Sequence, residues 1–318
     1  MNLDRRQFIY TAGTVVGACL IPEVATTASP KKRREPRVGM TDWNLGSTAD
    51  PARIPLAAQV GLDGVQVSIG TKPDKIPLRD AGVRRQYLEL GERHRIAYPS
   101  TAAGGILNRI PLRSEPQSAV YVIDAVEAAA ALGATNILIA FFSNGDLRLR
   151  DAVGELRNTT TGRYKEYALD EQGVTRVVEV LRQIAPRARD AGIMLGLENT
   201  LTARQNLEIL DRIGSEMVKV YYDVGNSTSY GYDVPGEIRL LGNELICEIH
   251  IKETLGLDDP NAGLLGGPAS GGVDFSAVAA ACRGIGYNRW YVLETSGREG
   301  RFEEDTRANI EFVKRLFG

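Results

Sequence analysis

Four side chains in the second half of the chain have groups that could hold a metal ion: Glu198, Asp223, His250 and Glu294. Three carboxylates and one imidazole form an oxygen-rich ligand set without a thiolate. Such a set suits Mn²⁺, Mg²⁺ or Co²⁺ and tolerates Zn²⁺. A bound ion of this kind polarises a substrate carbonyl and lowers the barrier to removing the proton on the adjacent carbon. The four residues therefore predict a site for one divalent metal ion, if the fold brings them together.

Each of these residues follows a short apolar segment that is typical of a β-strand. The segments are 193–197, 218–222, 246–249 and 290–293. A helix-like stretch and a turn containing Gly precede each one, which predicts parallel strands joined by helices. The carboxyl ends of such strands share one face of the fold. In barrels of this kind, function concentrates at that face.

Strand-like and helix-like segments alternate without interruption from Arg37 to Leu316. The predicted strands are 37–41, 64–68, 96–100 and 136–141, followed by the four segments that lead to the candidate ligands. The predicted helices are 51–60, 83–94, 118–132, 174–191, 202–213, 235–241, 275–285 and 303–316. This alternation favours a closed barrel over an open sheet. We therefore predict an α/β fold in which residues 37–318 form a single (β/α)8 TIM barrel.

Alternation along the strands predicts which side chains face the barrel interior. If the four candidate ligands point inward, Leu197, Tyr222, Ile249 and Leu293 point outward, and these are mostly apolar, as packing against helices requires. The inward set then includes Gly196, Tyr221, Glu248 and Val292. Lys219 also points inward, and we predict that it pairs with Glu248, because an unpaired buried charge is costly.

The first 28 residues resemble an export signal. A charged start precedes an apolar stretch, and Thr26–Ala28 offers small residues for cleavage. The segment Arg5–Ile9 resembles a twin-arginine signal, which predicts export to the bacterial periplasm or cell envelope. The apolar stretch of about 14 residues is short of the ~20 that a membrane span needs. Val16–Cys19 resembles a lipobox, so a lipidated Cys19 is the alternative, and it is the one predicted route to a membrane. Residues 29–36 are predicted to form a linker.

Charge and cysteine content restrict the class of partner. The chain has 38 Lys and Arg against 40 Asp and Glu, with both signs dispersed, so no basic face for nucleic acid is expected. Cys247 and Cys282 alone remain after signal cleavage, too few for a disulfide framework. They are predicted to be core thiols, with a single disulfide as the alternative.

Around the four candidate ligands, the sequence resembles the sugar isomerase/epimerase superfamily of xylose-isomerase-like barrels. The matching segments are 196–199, 222–226, 249–253 and 286–294. The similarity spans Val38 to Phe317 and is strongest in the second half. The resemblance implies a divalent metal held by all four residues, with Glu198 and Glu294 doubling as the catalytic acid/base pair.

The sequence departs from the pattern of ketohexose epimerases in this group at three places. Asn226 stands where they usually carry a His, and Arg204 stands where they carry a second Glu. An Arg that commonly follows the His ligand is replaced by residues 255–257, Leu-Gly-Leu. The resemblance therefore predicts the fold and the metal but does not identify the substrate.

Seven residues near the expected barrel mouth are candidate substrate contacts: Trp43, Asn44, Gln66, Phe142, Asn226, Lys252 and Glu253. Trp43 could stack on a sugar or simply pack at the mouth. Lys252 and Glu253 could bind substrate or form a surface ion pair. The long segment 143–172 has no clear period and predicts either a lid that contributes Tyr164 or Tyr167, or a solvated insertion.

These features predict an isomerase or epimerase that removes a proton next to the carbonyl of a ketose or keto-sugar. A lyase or hydrolase of keto-glycosides, or a dehydratase of keto-inositols, would use the same chemistry. A DNA-repair endonuclease of this barrel type is disfavoured, because it needs a histidine-rich zinc site and the chain has only His94 and His250. A non-catalytic sugar-binding protein would not need both glutamates. The predicted partner is a small carbohydrate, and the sequence leaves open a homo-oligomer.

Overall fold

Eight parallel strands close into a barrel in chain order, from β1 to β8. The computed structural model describes residues 35–256, 259–266 and 272–318. These residues form a TIM barrel in a single domain, as predicted. The predicted signal peptide, Cys19 and linker residues 29–34 lie outside the described residues.

The described residues form eight strands and ten α-helices. The strands are β1 Arg37–Thr41, β2 Gly64–Ser68, β3 Ser100–Ala102, β4 Asn136–Phe141, β5 Met194–Asn199, β6 Val218–Asp223, β7 Ile246–Ile251 and β8 Trp290–Leu293. The helices are α1 Ile54–Val60, α2 Ala81–His94, α3 Gly104–Leu107, α4 Ala119–Leu132, α5 Glu171–Ala191, α6 Ala203–Ile213, α7 Val224–Ser229, α8 Val234–Leu245, α9 Phe275–Gly284 and α10 Phe302–Phe317. The eight predicted helices are present, and the short helices α3 and α7 lie in loops after strands.

The predicted third strand was placed too early in the chain. Residues 96–100 were expected to form it, but β3 begins at Ser100 and ends at Ala102. Ala97 makes only an isolated bridge to Gly64. Pro99 lacks an N–H group and cannot donate to a strand ladder, so regular pairing starts after it.

The side chains of the strands point in the directions that the alternation predicts. Leu197, Tyr222, Ile249 and Leu293 are buried in the main hydrophobic core with the surrounding helices. The Tyr222 hydroxyl donates to Glu237 of α8 at 2.8 Å. The opposite face of these strands therefore points into the barrel, where the candidate ligands lie.

The two cysteines of the barrel, Cys247 and Cys282, are buried free thiols, as expected of core residues. None of the helices in the described part of the chain has the length and apolar character to cross a membrane.

Candidate metal centre

The four candidate ligands converge at the carboxyl end of the barrel. Their ligand atoms all lie within 4.8 Å of one another. Nδ1 of His250 lies 3.1 Å from Glu198 Oε1, 3.8 Å from Asp223 Oδ2 and 3.5 Å from Glu294 Oε2. Strand register explains part of this: Asp223 pairs directly with His250 across β6 and β7. Since three carboxylates surround one imidazole nitrogen, the cluster could hold one metal ion.

Gln66 determines which nitrogen of His250 is available as a ligand. The amide group of Gln66 donates to Ser100 Oγ and to the Tyr221 hydroxyl, both at 2.9 Å. Its carbonyl oxygen, 2.9 Å from His250 Nε2, must therefore accept a hydrogen bond from the N–H group at that nitrogen. With Nε2 as the donor, the Nδ1 lone pair of the neutral imidazole faces the three carboxylates. This is the tautomer that a metal ligand needs.

Beneath Gln66, a buried carboxylate anchors the same network. Glu248 is fully buried and accepts from Ser100 at 2.8 Å, Tyr221 at 2.7 Å and Asn136 at 2.7 Å. Burial raises its pKa, and these three hydrogen bonds oppose that rise. The network thus connects the barrel interior to His250 through fixed hydrogen bonds.

The predicted ion pair between Lys219 and Glu248 is wrong. Glu248 takes its partners from three neutral donors on other strands, and Lys219 is half-buried at the start of β6. An irregularity between Val220 and Tyr221 shifts the register of β6 against β7, so that Val220 lies opposite Ile246. A buried carboxylate with three donors does not require a cation.

The chemistry of the cluster fits a divalent cation. Oδ1 of Asp223 accepts from the Asn226 backbone N–H at 2.8 Å. Oδ2 is buried, and its close partner is a cation, the Lys252 ammonium at 3.0 Å, which also lies 2.7 Å from Glu294 Oε2. A buried carboxylate oxygen that attracts a cation, beside two further carboxylates, suits a metal ion.

Burial and mutual charge shift the pKa values of Glu198, Asp223 and His250. Burial raises the pKa of Glu198 to about 7. Burial lowers the pKa of His250, but the charges of Glu198 and Glu294 raise it, with a net value of about 10. Burial also opposes the charge of Asp223, yet Lys252 and His250 hold its pKa well below the usual range. The cationic and imidazole groups nearest these carboxylates are therefore Lys252 and His250.

A cavity of about 360 Å³ opens directly above the cluster. Both candidate acid/base residues, Glu198 and Glu294, line it. The Trp43 indole donates to Glu294 Oε1 at 3.2 Å, and its ring meets His250 edge-on at 6.2 Å between centroids. Trp43 thus orients one carboxylate of the cluster while forming part of the cavity wall.

Four of the seven candidate substrate contacts line this cavity, namely Trp43, Phe142, Asn226 and Lys252. The other three do not. Gln66 is fully buried beneath His250, and Asn44 donates to Ser296 at 3.0 Å. Glu253 accepts from the Gly263 N–H at 2.8 Å and from the Leu255 N–H, so it braces the loop after β7.

The long segment between β4 and α5 packs beside the site. Short antiparallel bridges join Arg148 to Leu169 and Asn158 to Tyr167. Buried Arg148 pairs with Asp146 at 2.8 Å, and its guanidinium lies over the Tyr167 ring at 5.1 Å. Tyr164 is 41% exposed. Neither tyrosine lines the cavity above the cluster, which favours the insertion over the lid for this conformation.

Several residues have roles in the site that the sequence did not indicate. Ser100, Asn136 and Tyr221 support His250 through the network, while Asn108 and the Gly104–Gly105 pair line the cavity. Ser100 and Asn136 stand at the start of β3 and β4. A polar residue on the otherwise apolar strand β4 is the signal that could have identified Asn136, whereas β3, Ser-Thr-Ala, offers no such contrast for Ser100.

The closed (β/α)8 barrel and the cluster of carboxylates and imidazole at its carboxyl end place the chain among TIM barrels with a candidate divalent-metal centre. Residues 54–316 match the family model described as the xylose isomerase-like TIM barrel. The chain belongs to this family, which confirms the superfamily resemblance inferred from the sequence. No curated protein sequence matches the chain.

Solved structures of similar fold include sugar epimerases. D-allulose 3-epimerase from Methylomonas sp., in complex with D-allulose, has a TM-score of 0.66 and 16% identity, covering 89% of this chain and 98% of that one. The 3-keto-D-glucoside 4-epimerase from E. coli has a TM-score of 0.65 and 13% identity, covering 88% and 99%. The IOLI protein with a binding zinc atom has a TM-score of 0.61 and 16% identity, covering 88% and 96%. At these identities, the likeness establishes the fold.

Replacing Gln66 with Met is expected to weaken Mn²⁺ binding about 10- to 100-fold, as is typical when the partner of a metal-ligating His is lost. Met has a similar volume, but its thioether sulfur is only a weak acceptor for the His250 Nε2–H group, so the imidazole loses the partner that fixes its tautomer. Isothermal titration of Mn²⁺ into the purified protein measures the effect.

Thr101→Val is the matched control for Gln66→Met. Thr101 is also fully buried, on neighbouring β3, and it donates to the Ala125 carbonyl rather than to the network. This variant should bind Mn²⁺ like the wild type. If Gln66→Met does the same, Gln66 has no part in preparing His250.

Proposed function

We propose that this protein is a divalent-metal-dependent isomerase or epimerase of ketoses or keto-sugars. One observation carries the proposal: Glu198 and Glu294 belong to the buried cluster and also line the same cavity. They come from β5 and from the end of β8, so two carboxylates can approach one bound ligand. This arrangement suits the removal of a proton from a carbon and its return.

Each glutamate has surroundings that suit proton transfer. Glu198 is almost completely buried yet lines the cavity, so its carboxylate can reach a bound ligand with little competition from solvent. The hydrogen bond from Trp43 restricts the orientation of Glu294. A positioned acid or base typically contributes about 10²- to 10⁴-fold to such a reaction. A divalent ion, when bound by the four ligands, supplies polarisation of the substrate carbonyl.

The cavity above the cluster has the character of a small sugar site. Trp43 and Phe142 offer aromatic surface, while Asn226 and Lys252 offer hydrogen-bond donors. Aromatic walls with a few placed polar groups are usual in ligand pockets. The names of the structural neighbours, a D-allulose 3-epimerase and a 3-keto-D-glucoside 4-epimerase, support a carbohydrate substrate.

We also propose that the protein acts outside the cytoplasm. The twin-arginine pattern at Arg5–Ile9 is the support for this location. Exported enzymes meet free sugars and glycosides rather than phosphorylated intermediates, so an unphosphorylated substrate is expected. Detection of the mature protein in a periplasmic fraction, with loss of export in an Arg5→Lys, Arg6→Lys variant, tests the location.

Incubation with Mn²⁺ in D₂O tests the reaction itself. Ketoses, keto-glycosides and inososes are each mixed with the protein and followed by mass spectrometry. We expect at least one compound to gain one deuterium at carbon without loss of mass, since the returned proton comes from solvent. Release of a fragment would instead support the lyase, and no exchange on any compound would contradict both. Protein treated with a chelator serves as the metal-free control.

A further inference from the structure

A second and larger cavity adjoins the one above the cluster. It has a volume of about 720 Å³ and lies between the loop after β7 and the segment after β8. Lys252 and Glu294 line both cavities. A ligand that extends from one cavity into the other would therefore pass Glu294, one of the two proposed proton-transfer groups.

The walls of the second cavity are held in place by buried contacts. Gly263 and Gly297 both have a positive φ, and a Cβ on Gly263 would lie 2.5 Å from the Gly297 nitrogen. The backbones of the two loops thus touch at positions where only glycine fits. The fully buried Asn309 donates to the Gly263 carbonyl at 2.7 Å and accepts from the Leu265 N–H at 2.8 Å. This cavity is consequently a built feature of the barrel mouth.

The charges around the second cavity suit a neutral polar ligand. Its lining includes cationic and acidic side chains together, namely Lys252, Arg298, Arg301, Glu253, Asp259, Glu294 and Glu299. An anion-binding site would show an excess of positive charge. Mixed donors and acceptors match the hydroxyl groups of a sugar, each of which both donates and accepts.

Arg298 offers a fixed donor to such a ligand. Its Nε and Nη2 atoms bond to the fully buried carboxylate of Asp305, at 3.0 and 2.6 Å. Nη1 has no hydrogen-bond partner among the described residues, and the residue lines the cavity. A guanidinium fixed on one side loses little side-chain entropy when its other side binds a hydroxyl group.

We infer that the natural substrate is a glycoside or disaccharide rather than a single sugar. The reacting keto-sugar ring occupies the cavity above the cluster, and the second sugar or aglycone occupies the larger cavity beyond Lys252 and Glu294. This inference rests on the proposed function for the identity of the reacting ring. Volume supports it, since the first cavity lies near the lower end of the roughly 300–1,000 Å³ range of ligand pockets and the second lies well within it.

Binding of unreactive alditols tests the inference without turnover. Sorbitol represents one unit, while maltitol and cellobiitol carry a second glucose in α- or β-linkage. Isothermal titration into the Mn²⁺-loaded protein should show that at least one disaccharide alditol binds about tenfold or more tightly than sorbitol, a difference of about 1.4 kcal/mol. Alditols have no carbonyl, so the result is independent of the deuterium exchange that tests the proposed function.

Two variants locate the extra affinity. Ala262→Phe and Thr254→Trp each place a ring in the second cavity, and thermal unfolding identifies which of them folds. Either is expected to remove the advantage of the disaccharide alditol and to leave sorbitol binding unchanged. Thr48→Phe, in the wall of the first cavity, is the matched control and should weaken both ligands alike. Equal binding of sorbitol and both disaccharide alditols to the wild type, or equal weakening of both classes by Ala262→Phe and Thr254→Trp, would overturn the inference.

Discussion

Glu294→Gln is expected to slow deuterium exchange into the bound sugar by about 10²- to 10⁴-fold, the range for loss of a positioned acid or base. The amide has nearly the same shape and its oxygen can still accept the Trp43 indole N–H. It cannot accept a proton from carbon at neutral pH. Exchange is measured by mass spectrometry in D₂O. The substrate is the compound into which the wild-type protein introduces deuterium.

Glu294 is also a candidate metal ligand, so Glu294→Gln needs a control for metal loss. The exchange rate should be measured over increasing Mn²⁺ until it no longer rises. A catalytic role predicts that the defect persists at this plateau. Glu311→Gln, at an exposed position on α10, removes a glutamate elsewhere and should exchange like the wild type. Wild-type exchange by Glu294→Gln at saturating Mn²⁺ would exclude Glu294 from proton transfer.

The barrel was predictable because its strands have a simple physical signature. A parallel strand buried on both faces is a nearly continuous apolar run, and the run before Glu198 is of this kind. The polar residue that ends such a run must lie at the carboxyl end of the barrel. Alternation then separated inward Glu198 from outward Leu197, which packs in the main core. Four such strand ends were sufficient to predict a cluster.

The support beneath the cluster was not predictable in the same way. Alternation predicts which face of the sheet a side chain occupies, but not which residue of the next strand lies opposite it. The irregularity between Val220 and Tyr221 shifts this register between β6 and β7. Tyr221, rather than Lys219, lies opposite Glu248, and its hydroxyl donates to that carboxylate. Gln66 bonds to His250 and Tyr221, which lie 184 and 155 residues away from it in the sequence. Only the closed barrel brings these side chains into contact.

Lys252 has a position that the sequence could only suggest. It was expected either at a substrate or in a surface ion pair, yet its ammonium lies between Asp223 and Glu294 with 21% of the side chain exposed. Burial lowers its pKa, but the two carboxylates raise it above the usual range. Lys252 therefore neutralises part of the negative charge of two candidate metal ligands.

Asp223→Asn is expected to weaken Mn²⁺ binding by about 100-fold or more. This exceeds the usual effect of removing a residue that only hydrogen-bonds to a metal ligand. The substitution preserves shape, and the side-chain oxygen can still cap α7 by accepting from the Asn226 N–H in its first turn. It replaces the buried Oδ2 atom, whose close partner is the Lys252 ammonium at 3.0 Å, with a neutral amide group. The charge that attracts the cation is thereby lost while the local fold is retained.

The effect of added Mn²⁺ on the exchange activity of the two variants distinguishes the role of Asp223 from that of Glu294. If Asp223 only holds the ion, high Mn²⁺ should restore most of the exchange activity of Asp223→Asn, whereas Glu294→Gln should stay slow. Isothermal titration gives the affinity and D₂O exchange gives the rate for each variant. Asp211→Asn, at an exposed position on α6, controls for loss of an aspartate and should match the wild type. Unchanged Mn²⁺ affinity in Asp223→Asn would mean that the ion, if bound, lies elsewhere, since the buried Oδ2 atom is central to the proposed ligand set.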